Sequence, residues 1–394
     1  MKGKKMNHPI RVEPDLEFIK TITSSEGYSL KKCYQCATCS VTCSISHDER
    51  PFPRKEMLFA SLGLKDKLMG SPDIWLCYNC GDCSTRCPRG ARPGDVLAAI
   101  RKASIGYYSK PACLNTLLND PKHIPLLILI PAVVILLLGS LTGLMDFNPA
   151  NGNIIFSNFF PVPLIELLFI PLSFFSAMVF IFGLKRLIAD MKKHYADQGI
   201  VLPKNRINGI EYLMAMIKNF VPIIKHERFS DCSEKKNRKL SHLMVSFSFV
   251  SLAFVAGAFA FALYFFNSHA PYSQINPIKI LANLSGIALI CGTLWLMKDR
   301  IKDKEQKSSY FDWQLLFLAL FLGVTGMMTQ LSRLTDLSTA AYPLYFLHII
   351  LAFNLVAFAP YSKLAHFVYR TAAVTFDSYV RYKSQSSAKD DLQS

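Results

Sequence analysis

Six long apolar runs limit what the longer, second part of this chain can fold into. Each run is nearly free of charged side chains. Each is also long enough for one helix to cross the hydrocarbon core of a bilayer, which takes about 20 residues. The sequence therefore predicts six transmembrane helices, at about 124–145, 162–184, 242–266, 277–297, 313–331 and 343–368.

The positive charges lie almost entirely on one side of these predicted helices. Of the 44 Lys and Arg residues, only Lys279 and Arg333 fall in the loops of the other side. The positive-inside rule therefore predicts that both termini and the polar N-terminal segment are cytoplasmic, and an even number of spans agrees with this. Residues 1–30 are charged and lack an apolar core, so no secretory signal is predicted.

The net charge of +16 is concentrated in these cytoplasmic segments. A basic balance is also common in nucleic-acid-binding proteins. Here the charge lies beside the apolar runs, so it favours contact with membrane lipid, and no nucleic acid is expected as a partner. The sequence predicts a multi-pass protein of the cytoplasmic (inner) membrane.

Eight of the eleven cysteines fall in two runs ahead of the first apolar run. Each run has the form Cys-x2-Cys-x2-Cys-x3-Cys, and Pro88 closes the second. Three thiolates spaced in this way can hold three corners of a [4Fe-4S] cube, and in two-cluster ferredoxins the fourth cysteine of each run ligates the other cluster. The predicted ligand sets are Cys33, Cys36, Cys39 and Cys87 for one cluster, and Cys77, Cys80, Cys83 and Cys43 for the other.

Zinc and disulfide bonds are the alternative uses of these cysteines. Structural zinc sites usually have two separated pairs of ligands, not runs of four. Disulfides need an oxidising compartment, whereas the charge pattern puts this segment in the reducing cytoplasm. The first run ends in Cys43-Ser44 instead of Cys-Pro, which departs from the bacterial pattern without removing a ligand.

The fold class is predicted to be mainly α. Helical patterns at 54–62 and 96–105 surround the second cysteine run, so the sequence predicts an α-helical two-cluster ferredoxin domain followed by a six-span transmembrane helical bundle. An amphipathic pattern over 207–224 predicts a helix on the membrane surface or under the ferredoxin domain. The predicted parts are the ferredoxin domain (1–110), a linker (111–123), the transmembrane domain (124–370) and a polar cytoplasmic tail (371–394).

Three histidines lie in the predicted spans, where an ionisable residue is costly and is a functional candidate. For a single histidine, a hydrogen bond to a head group or a neighbouring helix is the simpler explanation. His348 and His366, however, are eighteen residues apart, five turns of a continuous helix. This predicts that both project from one face, about 27 Å apart. His242 lies on the same membrane side as His366, and the two are predicted to hold one haem b. A second haem through His348 stays open, because no outer-side partner is found.

Residues from about Val12 to Ala103 strongly resemble the C subunit of heterodisulfide reductases, and they include the stretch PRKEMLFASLGLKDKLMGSPDIWLCYNCGDCSTRCPRG. Residues from about 160 to 370 resemble the cytochrome b (gamma) subunit of respiratory nitrate reductase. The two joined in one chain resemble the C subunit of the quinone-interacting membrane-bound oxidoreductase complexes. This resemblance implies a transmembrane domain of cytochrome b type.

The gamma-subunit resemblance also bears on the haem ligands. That family carries two histidines ten residues apart on one helix and two that are eighteen apart on a later helix. The later pair matches His348 and His366, and the first of the earlier pair matches His242. The second of the earlier pair falls at Leu252, which cannot bind iron. The resemblance therefore supports the haem of His242 and His366 and leaves the haem count open.

The resemblance further implies a role in anaerobic respiration and sulfur metabolism. The chain would be the quinone-interacting subunit of an oxidoreductase complex, whether or not it is active alone. It would exchange electrons with menaquinone and pass them to or from flavin and iron–sulfur subunits that serve adenylylsulfate reductase. The alternative is a haem-free, ferredoxin-type membrane anchor of a heterodisulfide reductase-like complex. A transporter gated by a redox sensor is disfavoured, because the spans hold few charges and no paired broken helices.

Overall fold

The structure is a computed structural model that describes residues 13–48, 50–146, 154–198, 209–225, 238–303 and 308–393. Across these described ranges the chain is helical and contains no β-strand, and its isolated β-bridge pairs His47 with Arg50. The predicted fold class, mainly α with a two-cluster domain and six membrane-length helices, is confirmed.

The helices ahead of the first apolar run are short, except for the seventh. They are α1 (Leu16–Thr23), α2 (Thr38–Thr42), α3 (Arg54–Ser61), α4 (Lys65–Met69), α5 (Asp73–Leu76), α6 (Asp82–Thr85), α7 (Pro93–Tyr108) and α8 (Ala112–Asn119). Most of the later helices are long. They are α9 (Ile124–Thr142), α10 (Phe156–Phe159), α11 (Val162–Asp197), α12 (Gly209–Lys225), α13 (Arg238–Phe266), α14 (Pro277–Lys302), α15 (Tyr310–Leu334), α16 (Ser338–Phe358) and α17 (Ala365–Gln393).

The chain divides into two compact units. The first comprises Met1–Ser104, Arg186–Ala215 and Ala372–Ser394, and the second comprises Ile105–Lys185 and Met216–Thr371. The first unit therefore combines the cysteine segment with the end of α11, the start of α12 and most of α17.

The first unit has an apolar core beneath the cysteine loops. Arg101 is buried in it and donates from Nη1 to the Ile74 carbonyl at 3.1 Å. Gly70 lies so close to the end of α11 that a Cβ there would come within 2.6 Å of the Asp190 carbonyl oxygen, so glycine permits this approach. The fully buried side chains of the core include Met57, Leu68, Ile74, Trp75, Val96, Leu97 and Ile100.

The segments predicted as a tail and a linker are both largely helical. Residues 371–394 continue the helix α17 up to Gln393, and in the first unit the Tyr195 hydroxyl donates to Asp377 Oδ1 at 2.5 Å. The segment 111–123 contains α8 and a 3₁₀ turn, and it belongs to the second unit. Helix α8 buries Leu118 there. Both segments contribute to packing because each carries apolar side chains at helical spacing.

Six helical segments of the described residues are long and apolar enough to cross a membrane, in agreement with the six predicted runs. In the second unit, α13 packs along α14, α14 along α15, α15 along α16, and α16 against α9. Many apolar side chains on these helices are exposed, as expected of surfaces that face lipid. The segments are Pro121–Thr142, Val162–Asp197, Lys239–Phe266, Pro277–Lys302, Tyr310–Leu334 and Ser338–Arg381.

The first membrane-length helix contains Pro131, which lacks the N–H group that would bond the Leu127 carbonyl one turn earlier. Asn354 on α16 donates from Nδ2 to that carbonyl at 2.8 Å, and its side chain is buried. A neighbouring helix thus satisfies the acceptor that proline leaves open, which is the condition for a proline inside lipid.

The sixth run forms a membrane-length segment, as predicted, but the helix is interrupted within it, so the prediction of a continuous helix from His348 to His366 is wrong. Helix α16 ends at Phe358, a 3₁₀ turn follows at Ala359–Tyr361, and α17 begins at Ala365. Pro360 cannot bond the Val356 carbonyl, which instead accepts from the Ser176 hydroxyl at 2.6 Å. The proline explains the break.

This break also corrects the geometry predicted for His348 and His366. Their placement on one face assumed five uninterrupted helical turns between them. Because His348 lies on α16 and His366 on α17, the spacing of eighteen no longer fixes their relative direction.

Candidate iron–sulfur and haem sites

The two cysteine runs fold into the same loop twice. Gln35 and Asn79, each two residues after the first cysteine of its run, have φ values of 59° and 55°. Ala37 and Gly81, each directly after the second cysteine, have φ values of 67° and 96°. These left-handed residues turn the backbone sharply. Each run therefore forms a tight loop that leads into a short helix, α2 or α6, bearing the third cysteine.

The fourth cysteine of each run follows its short helix in a matching turn. The Cys43 N–H donates to the Ser40 carbonyl at 3.3 Å, and the Cys87 N–H donates to the Ser84 carbonyl at the same distance. Helices α2 and α6 pack against each other. This packing brings the end of each run beside the other run.

The first thiol group consists of Cys33, Cys36, Cys39 and Cys87. These four side chains line one pocket, so the last cysteine of the second run joins the first three of the first run. Cys36 is exposed, Cys39 is buried, and the other two are half-buried. The grouping is the one predicted for the first cluster.

The second thiol group consists of Cys43, Cys77, Cys80 and Cys83. Burial raises the pKa of Cys43 to about 11, and Cys77 and Cys80 are near enough to contribute. Burial also raises the pKa of Cys83, with further contributions from the other three thiols of this group and from Cys39. These effects place Cys43 among the cysteines of the second run, as predicted for the second cluster.

The two thiol groups fit [4Fe-4S] clusters in their donor chemistry. The backbone N–H groups of Asn79 and Ala91 donate to Cys77 Sγ and Cys87 Sγ, both at 3.3 Å, and such bonds stabilise a thiolate. In the part of the chain that the structure describes, no three His, Cys, Asp or Glu side chains are grouped to hold a single metal ion. Two runs of four cysteines with this spacing suit clusters of several irons better than structural zinc, whose ligands usually come as two separated pairs.

Two arginines stand at the first thiol group. Arg54 and Arg89 line its pocket, and Arg89 donates from Nη2 to the Tyr34 hydroxyl at 2.8 Å while its guanidinium lies 4.1 Å from the Tyr34 ring centre. Arg89, with Arg86 and Arg92, can be recognised in the sequence as a cation beside the second cysteine run, whereas Arg54 and Tyr34 were not predicted to lie near a cluster. Tyr34 follows Cys33 directly and was open to inspection, whereas Arg54 reaches the pocket only through the fold of α3.

A buried carboxyl, that of Glu56, lies on α3, the helix that begins at Arg54. Glu56 is fully buried, and Lys55 Nζ lies 3.4 Å from its Oε1 but only 2.7 Å from Asp73 Oδ2. Burial raises the pKa of Glu56 to about 7, opposed by Lys55 and reinforced by Asp73. Lys55 therefore pairs first with Asp73, and the buried Glu56 carboxyl takes up a proton at a higher pH than an exposed one.

Replacing Glu56 with glutamine is expected to stabilise the protein above pH 7 relative to wild type. The folded-state pKa is above the unfolded value of 4.5, so the folded chain binds more protons between the two values and its stability falls as pH rises through that window. By pH 8 the free energy of unfolding of the wild type should have fallen by an amount on the order of 3 kcal/mol because of this group, a fall that Glu56→Gln lacks. Thermal unfolding of the full chain at pH 5 and pH 8 measures it. Glu17→Gln, a change at an exposed position, is the control, and equal pH dependence in wild type and Glu56→Gln would contradict the assignment.

The predicted haem ligands His242 and His366 lie on different helices of the second unit. His242 is exposed on α13, and its Nδ1 lies 3.2 Å from Ser246 Oγ one turn along. His366 is half-buried in the first turn of α17. Imidazole is a suitable haem ligand. Among the described helices, however, α13 packs along α14, and no extensive contact pairs α13 with α17. Their joint ligation of a haem stays a prediction.

His348 has a defined hydrogen-bond partner on α15. Thr325 Oγ1 donates to the Phe321 carbonyl at 2.6 Å and lies 2.9 Å from His348 Nδ1. If the hydroxyl proton goes to Phe321, Nδ1 carries the imidazole proton and donates to Thr325 Oγ1. Gly326 lets the ring pack against α15, because a Cβ there would lie 3.1 Å from His348 Cε1. This tautomer is the one that an iron ligand through Nε2 requires.

The comparisons with known proteins concern mainly the first unit. Residues 29–91 match the 4Fe-4S dicluster domain family. The C subunit of an H(2):CoB-CoM heterodisulfide,ferredoxin reductase from Methanothermobacter marburgensis is 36% identical over 88 residues, 22% of this chain and 47% of that protein. The C subunit of a ferredoxin:CoB-CoM heterodisulfide reductase from Methanosarcina acetivorans is 29% identical over 86 residues, 22% of this chain and 34% of that protein. The chain thus spans at most about half the length of these relatives.

One relative extends over most of the chain. Citrate utilization protein B of Escherichia coli is 25% identical over 320 residues, 76% of this chain and 79% of that protein. No solved structure matches. The N-terminal region therefore carries a 4Fe-4S dicluster domain similar to that of the C subunit of heterodisulfide reductases, in a chain that also has six membrane-length helices in its described part.

Proposed function

We propose that this chain is the membrane electron-transfer subunit of an anaerobic respiratory oxidoreductase complex. It moves electrons between the menaquinone pool and cytoplasmic flavin and iron–sulfur subunits, through haem b and two [4Fe-4S] clusters. The complex serves sulfur metabolism, with adenylylsulfate reductase as the linked enzyme. The observation that carries the proposal is the pair of four-thiol groups, each drawn from both cysteine runs, in a chain with six membrane-length helices.

The cofactors supply one-electron chemistry when bound, and the chain supplies their ligands and surroundings. The eight cysteines hold the clusters, and the N–H groups of Asn79 and Ala91 stabilise the bound thiolates. Arg54 and Arg89 add positive charge beside the first thiol group, which favours the reduced form of a cluster held there. His242, His366 and His348 are the haem-ligand candidates, and the Thr325 hydroxyl orients the last of them.

The second candidate function is a haem-free, ferredoxin-type membrane anchor of a heterodisulfide reductase-like complex. Three observations favour it: the identity of 36% to a heterodisulfide reductase subunit is confined to the cysteine segment, Leu252 stands where a fourth haem ligand is expected, and His242 is exposed. In this case the spans would fix the clusters at the membrane without carrying electrons across it.

Cofactor analysis of the purified chain tests both functions. The full chain is purified with its associated subunits from its host membranes, and iron, haem and reduced-minus-oxidised spectra are measured. The proposed function predicts about eight iron atoms per chain and a haem b band that responds to added menaquinol or menaquinone. Iron without a haem band favours the anchor. Cofactors that do not respond to either quinone form contradict the quinone role.

A further inference from the structure

The two thiol groups differ in their distance from solvent. In the first group, Cys36 is exposed and only Cys39 is buried. In the second group, Cys77 and Cys83 are both buried and none of the four is exposed. Because electron transfer slows steeply with distance, the centre of the first group is the better placed of the two to exchange electrons with another protein.

Two large side chains stand exposed around the first group. Val41 on α2 has 88% of its surface exposed, and Tyr34 has 67%. Tyr34 lines the pocket of the first group, and Val41 follows Cys39 by two residues on the short helix α2. Tyrosine flanked by arginine is a common composition for the centre of a protein interface.

Positive charge surrounds this patch. Arg54 and Arg89 line the pocket of the first group, and Arg89 stacks on Tyr34. Further exposed cations precede two of its cysteines in the sequence: Lys31 and Lys32 come before Cys33, and Arg86 comes before Cys87. We call the exposed side chains of this surface the basic face: Lys31, Lys32, Tyr34, Val41, Arg54, Arg86 and Arg89.

We propose that the basic face docks a soluble redox protein whose surface is acidic around its own cofactor, and that the centre held by Cys33, Cys36, Cys39 and Cys87 exchanges electrons with it. The centre of the second thiol group is then the interior member of the pair. Charges of opposite sign steer such partners into contact and set their orientation, while Val41 and Tyr34 form the apolar middle of the interface. This inference rests on the proposed function and adds to it which centre meets the soluble partner.

Site-specific photocrosslinking tests where the partner docks. A photoreactive amino acid replaces Val41 in the full chain, in its host membranes, and the crosslinked peptides are identified by mass spectrometry. Leu16, also exposed but on α1, is the matched control. Crosslinks from Val41 to an acidic peptide of a flavin or iron–sulfur protein are expected, with none from Leu16. Crosslinks from Leu16 alone, or from Val41 only to lipid, overturn the proposal.

Charge reversal tests the electrostatic part with a defined probe, a purified flavodoxin as the acidic carrier. The second-order rate of electron exchange is expected to fall about tenfold in Lys32→Glu/Arg89→Glu and to fall with salt in wild type. Lys20→Glu, an exposed lysine on α1, should stay within about twofold of wild type, since steering acts near the docking face. Unchanged cluster EPR spectra show that both variants are intact. Equal rates in the two variants overturn the docking face, whereas steered exchange without any quinone response counts against the proposed function alone.

Discussion

Replacing Cys87 with alanine is expected to abolish the iron–sulfur centre whose other three ligands lie in the first cysteine run. The reason is the packing of α2 against α6, which puts Cys87 in the pocket of Cys33, Cys36 and Cys39. A cube that loses one of its four thiolates loses the ligand of one iron. The centre of the second run should survive, because Cys87 does not belong to it.

A set of single and double variants makes this result decisive. Cys87→Ala and Cys36→Ala should remove the same EPR signal, and Cys43→Ala and Cys80→Ala the other. Iron should fall from about eight to about four atoms per chain in each single variant. The Cys36/Cys87 double variant should keep about four, because two ligands of one centre act as a unit. Cys113→Ala, at an exposed position outside both runs, is the control. Loss of one signal in both Cys87→Ala and Cys80→Ala would show that each run holds its own cluster.

The loop geometry of the cysteine runs follows closely from their sequence. Equal spacing in the two runs gives equal turns, down to the left-handed residues at Gln35 and Asn79. Gly81 and, more weakly, Asn79 signal such a turn by residue type, whereas Gln35 and Ala37 do not. In two-cluster ferredoxins the fourth cysteine of each run ligates the cluster of the other run. The packing of α2 against α6 explains how Cys43 and Cys87 come to lie beside the opposite run here.

Other features depend on contacts that spacing does not encode. Asn354 bonds the carbonyl left open by Pro131, and Ser176 bonds the one left open near Pro360. In sequence these look like isolated polar residues and isolated helix breakers. The hydrogen bonds form only because helices distant in the sequence pack together. The sequence therefore predicts that such prolines are tolerated, but not which side chain bonds the carbonyl that each proline leaves open.

The sixth span shows where a periodicity argument fails. Its hydropathy continues through 343–368, so composition alone favours one helix. Pro360 stops that helix. The break leaves the number of membrane-length segments at six, but it removes the continuous helix on which the predicted direction of His348 relative to His366 depended. The number of membrane-length helices was therefore predictable, whereas the relative direction of His348 and His366 was not.

His366→Ala and His242→Ala are each expected to remove the same haem b. If the two imidazoles are the axial ligands of one iron, either variant leaves that iron with a single protein ligand, and haem should fall by about one per chain. The prediction does not depend on the helical phase of His348 and His366, because it pairs α13 with α17 and does not involve α16. Haem content per iron, with reduced-minus-oxidised spectra of the full chain, measures the loss.

The controls separate loss of a ligand from general damage and also establish the haem count. His269→Ala changes a loop histidine whose Nε2 lies 3.0 Å from Asn267 Oδ1, and it should keep all the haem. In a protein with two haems, His348→Ala should remove only the other one, since His348 lies on α16 and its Nδ1 contacts Thr325 Oγ1 on α15. Unchanged haem in His366→Ala would falsify the pairing. Wild-type protein with its full iron and no haem b would instead identify the spans as an anchor, because the cysteine groups do not depend on the histidines.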